Sequence, residues 1–184
     1  MKNIFLTIVL LFCLILFTLV VFAQATDTLT HVLETQEDYQ LAYPGLLPDN
    51  PLYTIKVIRD RIIEFLIADP LKASEFYLLA SDKRLSAGIS LLKKQSSKEQ
   101  LAYSTISKTE NYFEKTIQKA KEAKTQGKDI TNHARNLKRS LQKHTMIVFS
   151  FIEEGPKNLI EQFKISSARM KKFGDQINAL APNQ

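Results

Sequence analysis

Residues 70–95 read PLKASEFYLLASDKRLSAGISLLKKQ, and the spacing within them decides the fold. Leu71, Leu78, Leu85 and Leu92 recur every seven residues, and Ser74, Ser81 and Gly88 recur beside them. On a helix this gives one face of large apolar side chains flanked by small ones, a composition that lets a second helix approach closely. Asp69 before Pro70 supplies a capping side chain followed by proline in the first helical position.

The rest of the chain extends this pattern. The six prolines are Pro44, Pro48, Pro51, Pro70, Pro156 and Pro182, so residues 71–155 contain no strong helix breaker. Asn50 before Pro51 repeats the cap-and-proline arrangement, Ser97 with Gln100 matches a capping box, and Gly127 and Gly155 suit helix ends. Five helices are predicted, over 51–67, 70–95, 98–126, 129–154 and 157–180. The fourth carries Ile130, Ala134, Leu137, Leu141, His144, Val148 and Phe151 at spacings of four and three, and the last carries Leu159, Phe163, Ser166, Met170, Phe173, Ile177 and Leu180. In the third, Ala102, Ile106, Thr109, Phe113, Thr116, Ala120 and Ala123 form a thinner stripe, suited to a partly exposed rod. Thr145–Ile152 also reads as a buried strand, but the seam runs through it in helical register. The expectation is an all-α fold, an antiparallel bundle of about five helices.

Before the bundle, Ile4–Phe22 is a run of nineteen residues without charge, preceded by Lys2 and followed by Ala23-Gln24-Ala25. The small-x-small pattern marks a signal-peptidase site, whereas the length approaches the ~20 residues of a membrane span, so residues 1–25 read as a signal peptide or a retained anchor. No Lys or Arg occurs from residue 3 to 55. With Lys2 inside, the remainder is placed outside the cytoplasm, secreted or anchored to the cytoplasmic membrane, with membrane contact through residues 4–22 where they are retained. Cys13, within the run, is the only cysteine, which excludes disulfides and thiol chemistry from the rest of the chain. Residues 26–42 are acidic and polar and read as a tether, and 43–182 as one helical domain.

The stretch Tyr43-Pro44-Gly45-Leu46-Leu47-Pro48-Asp49-Asn50-Pro51-Leu52-Tyr53 leads into the first helix. Together with Asp69-Pro70 and Arg84-Leu85, it resembles DUF5667, a family of bacterial extracytoplasmic domains of unknown function, over about residues 43–92. The resemblance implies a helical domain outside the membrane and brings no established activity. Read from the residues alone, Pro44-Gly45 makes a turn, Pro48 stiffens the connector, Asp49 or Asn50 caps the helix, and Tyr43, Leu47 and Tyr53 pack on the bundle.

The sequence points away from an enzyme, a metal site or a cofactor. His133 and His144 are eleven residues apart, ~16 Å along a helix, too far to share one ion. His144 lies on an apolar seam, and Glu110, Glu114, Glu153 and Glu154 read as solvated surface carboxylates. Five glycines make no phosphate loop, and no serine elbow is present. Residues 93–143 hold thirteen Lys or Arg against five acids. Lys121, Lys124, Lys128, Arg135, Lys138 and Arg139 flank the Gly127 turn, either as a solvated surface or as a patch for anionic lipid or envelope polymer. Nucleic acid is not expected, since no aromatic residue lies between Phe113 and Phe149 to stack bases. The expected role is a non-catalytic structural or interaction module of the bacterial cell envelope, with an unidentified envelope protein as a further partner class. The alternative is an anchored extracytoplasmic sensor acting through a separate membrane partner.

Overall fold

The computed structural model describes residues 39–94 and 96–180; the run 4–22 and the acidic stretch to residue 38 lie outside the described residues. Five α-helices follow in order: α1 Tyr53–Leu66, α2 Pro70–Lys94, α3 Glu99–Thr125, α4 Thr131–Glu154 and α5 Ile160–Leu180. Short 3-10 turns, Ser96–Lys98 and Lys157–Leu159, lead into α3 and α5. No strand occurs among the described residues, and Thr145–Ile152 lies within α4.

Local chemistry sets the helix ends. Asp69 Oδ1 accepts the amides of Leu71 at 2.8 Å and Lys72 at 3.1 Å, so it caps α2 as expected. At Gly127, with φ +74°, the Gly127 amide returns to the Lys124 carbonyl and the Lys128 amide to that of Ala123, the paired bonds that close a helix with a left-handed residue. Gly155 ends α4 with extended backbone, and a side chain there would collide with the Phe151 carbonyl. Two expected caps are corrected. Asn50 Oδ1 accepts the Leu52 amide at 2.9 Å, and Asp49 pairs instead with Lys94 and Lys98, so α1 starts at Tyr53 without a side-chain cap. Ser97 falls inside the 3-10 turn rather than at its edge, and the position before α3 is Lys98, with no side-chain cap bond.

The small residues of α2 meet the backbone of α3. Ser74 Oγ donates to the Thr116 carbonyl at 2.7 Å and Ser81 Oγ to the Thr109 carbonyl at 3.1 Å. One heptad further on, a Cβ at Gly88 would stand 3.2 Å from the Ala102 carbonyl and collide with the Ile106 side chain. The partners step down α3 by seven as the small residues step up α2 by seven, which is an antiparallel register without slip. Leu78 and Leu85 are buried on the same side, Leu71 and Leu92 partly so, and Leu91 joins the fully buried residues.

Helices α4 and α5 form a second hairpin, whose seam residues are buried except for half-buried Phe151. The hairpins lie side by side. Tyr103 meets Phe163, Glu110 meets Arg169, and Phe113 meets Phe173, so α3 and α5 run parallel. Ser74 meets His133 and Asp82 meets His144, so α2 and α4 also run parallel. The antiparallel pairs are therefore the two hairpins, and α3 and α4, though consecutive, stand across the diagonal. The stripe expected on α3 is buried along its whole length, while the opposite side of the helix is exposed. Its Ala and Thr positions admit α2 closely on one side while Phe113 and Ile117 face the core, and ten of its residues are buried.

Gly88→Ala tests this close approach. The methyl improves helix propensity by up to ~1 kcal/mol but must displace Ile106 from a filled core, at a cost of about 1–3 kcal/mol. Urea unfolding is expected to show a net loss of stability; a variant more stable than the parent would contradict the contact.

Candidate functional site

The six bases around the Gly127 turn differ in their surroundings. Lys128 Nζ pairs with Asp69 Oδ2 at 2.6 Å, which ties the turn to the start of α2. That bond holds the Asp69 carboxyl below its ordinary value, together with the capping amides. Lys124 Nζ donates to the Leu180 carbonyl at 2.6 Å, a cation at the end of α5 where carbonyls lack helical partners. Lys121, Arg135 and Lys138 are exposed, and Arg139 is half-buried with a contact of its own. Lys121 and Lys124 stand on α3, and Arg135, Lys138 and Arg139 stand on α4 across the diagonal.

The connector into α1 is held by polar contacts. Lys56 Nζ donates to the Pro44 carbonyl at 2.6 Å and the Leu46 carbonyl at 3.3 Å, and Gly45 takes φ +65° between them. Burial pushes the Lys56 ammonium below its ordinary value. Leu47 accepts the Asn50 amide to close the turn around Pro48, Pro51 is exposed, and Tyr53 lies against Arg84, whose guanidinium also covers Tyr112. Tyr43 is not packed on the bundle: it is 83% exposed, because the turn at Pro44-Gly45 carries it outward.

Three polar clusters cross the core. Asp82 Oδ1 accepts from Ser140 Oγ at 2.9 Å and from His144 Nε2 at 2.7 Å, all three side chains being buried. These are the residue types of a hydrolase triad in a different order. Serine and histidine both bond to the carboxylate, and the group is sealed in the core, so its evident role is to align α2 with α4. Ser74 gives its hydroxyl proton to Thr116, which makes His133 Nε2, 2.7 Å away, the donor to Ser74 Oγ. Glu110, expected on the surface, is buried, with Arg169 Nη1 at 2.6 Å. Its partner lies 59 residues away, and nothing local in the sequence announces it. Among the described residues no group of His, Cys, Asp or Glu is arranged to hold a metal ion.

The most unusual surface belongs to α1, none of whose residues is buried. Its inward side is Tyr53, Lys56, Val57, Asp60, Glu64 and Ile67, all half-buried. Glu64 Oε1 accepts from Tyr77 at 2.7 Å and from Lys115 at 2.8 Å. Burial opposes ionisation there, yet these two bonds hold the Glu64 carboxyl below its ordinary value. Burial and the adjacent Glu64 push the Tyr77 hydroxyl up. The outward side carries Leu52, Ile55, Ile58, Ile62, Ile63, Phe65 and Leu66, which at 100° per residue cover about 160° of arc. The helix sits with its polar side in and its apolar side out. Of the other large exposed apolar residues, Tyr43 and Leu46 lie in the connector, and Leu79, Leu101, Met146, Phe149 and Ile165 are spread over the four long helices. No helix among the described residues is long and apolar enough to cross a membrane.

Compared with protein-family models, curated proteins and solved structures, the chain matches none.

The buried imidazole of His133 carries a pH prediction. Burial lowers its affinity for a proton below the ordinary value of 6.5. The unfolded chain then binds a proton near 6.5 that the folded chain refuses, so this contribution is complete above that pH and is lost as pH falls below it. His133→Gln keeps a donor for Ser74 without a titrating group. The melting temperature of the parent is expected to fall more steeply between pH 7.5 and 5.5 than that of the variant; equal slopes would contradict a desolvated His133.

Proposed function

We propose that this chain is a non-catalytic helical interaction module on the outer side of the cytoplasmic membrane of a bacterium, a structural part of the cell envelope with α1 as its contacting element. The observation that carries this reading is the outward apolar arc of α1. Soluble monomers rarely leave such a contiguous patch uncovered, and a patch rimmed by polar residues marks an interaction surface. Export is supported by the uncharged run 4–22, the small residues at 23–25, and the absence of Lys and Arg from 3 to 55. The resemblance of residues 43–92 to an extracytoplasmic domain family supports the same compartment. Exposed Lys121, Arg135 and Lys138 suit an anionic lipid or polymer as neighbour.

The light attachment of α1 favours a second reading, that of an extracytoplasmic sensor. The described bonds from its inward side to the long helices are those of Glu64 with Tyr77 and Lys115, supplemented by Arg84 over Tyr53. A membrane partner that drew α1 away would leave the core intact.

Cysteine accessibility in intact cells tests the main reading. In a Cys13→Ser background, Ile62→Cys samples the arc and Asn132→Cys samples an exposed site on α4. A membrane-impermeant maleimide is expected to label position 132 in intact cells and to label position 62 much more slowly, with both reacting alike in purified protein. Equal labelling in cells would mean an uncovered arc, and labelling only after lysis would mean no export.

A further inference from the structure

Resting on the reading of α1 as the contacting element, we infer that the surface covering its arc is an anionic lipid bilayer, on which α1 lies as an interfacial helix. The shape of the arc favours lipid. Phe65 is 88% exposed, Leu66 71% and Ile55 64%, so the side chains stand out as a ridge on a helix with nothing buried. A bilayer interface takes up such a ridge to a depth of about 5–10 Å without a complementary pocket. A stable protein dimer needs about 800 Å² per partner, and a single stripe running ~16 Å from Ile55 to Leu66 is short for that.

Charge around the arc agrees with an anionic surface. The three acids between Tyr53 and Pro70 each have a basic partner: Asp60 pairs with Arg59, Glu64 with Lys115, and Asp69 with Lys128. Arg61 at the margin of the arc and Lys72 in the first turn of α2 are exposed, and Arg59 stands within the arc with its side chain 61% exposed. Long cationic side chains can lie along the apolar surface while their heads reach the phosphates. The sequence adds proximity. Only thirty residues, 23–52, separate α1 from the uncharged run 4–22. With that run held in a bilayer, a connection of only thirty residues would keep α1 at high effective concentration next to the membrane, where a weak interfacial helix stays docked.

The test uses the full chain reconstituted in vesicles, so that the run 4–22 is present throughout and does not distinguish the arms. A fluorophore is placed at Phe65→Cys or Asn132→Cys in a Cys13→Ser background. The vesicles are phosphatidylcholine alone or an equal mixture with phosphatidylglycerol, each with brominated acyl chains as quencher. In the mixed vesicles the label at 65 is expected to shift to the blue and lose emission to the brominated chains, while the label at 132 does neither. Ile58→Ser with Ile62→Ser, both exposed sites, should restore emission at 65 without changing the melting temperature, and added salt should weaken the dependence on phosphatidylglycerol. Three results would overturn the inference: a label at 65 open to an aqueous quencher in every vesicle, equal quenching at 65 and 132, or self-quenching at 65 that grows with protein density, which would assign the arc to a second copy. Protection of position 62 in cells without lipid contact at 65 in vesicles would sink the lipid assignment and leave the interaction module standing.

Discussion

The close approach of α2 to the backbone of α3 is the constraint on which the other contacts rest. Ser74, Ser81 and Gly88 sit against the carbonyls of Thr116, Thr109 and Ala102, one heptad apart on both helices. Larger side chains at these positions would hold the helices apart. Smaller separation brings Leu78 and Leu85 onto Ile106, Phe113 and Ile117 within one core, to which α5 then adds Phe163, Met170 and Phe173. A Leu-to-Ala change in such a core costs about 2–5 kcal/mol, so the register set by three small residues governs a large share of the stability.

Polar groups then align the hairpins. The bonds of Asp82 with Ser140 and His144, of Ser74 with His133, and of Glu110 with Arg169 all join α2 to α4 or α3 to α5, the parallel pairs. Apolar seams tolerate sliding, whereas a buried carboxylate displaced from its donors leaves unpaired charge that costs about 3–5 kcal/mol. The four long helices thereby complete a core without help from α1. No residue of α1 belongs to that core, and the helix attaches instead through Glu64, Tyr77, Lys115 and the Arg84–Tyr53 contact, with its isoleucines toward the outside.

Much of this was legible from spacing alone. The heptads at Ser74, Ser81 and Gly88, the seams of α4 and α5, the Asp69 cap and the Gly127 stop each rest on short-range geometry that side-chain type determines. The misses involve partners distant in sequence. Glu110 reads as a surface carboxylate until Arg169 is brought beside it, and Asp82 acquires meaning only opposite Ser140 and His144, where the one signal available was a histidine on an apolar seam. Asn50 and Ser97 have capping chemistry, but tight turns around them shifted the helix starts. Periodicity shows that α1 has an apolar face, and it is silent on which side meets the bundle; that depends on whether the core is already full.

The central claim is that α2–α5 form a self-sufficient core while α1 is held by a few polar contacts with its apolar side outward. Native-state hydrogen exchange of the full chain, followed residue by residue across rising urea, measures this directly. The account predicts that amides of α1 exchange through a low-energy local opening, insensitive to low urea, while amides around Ser81, Thr109 and Leu137 exchange only with global unfolding. Amides of α1 merging with those of α2 and α3 in one global transition would contradict it.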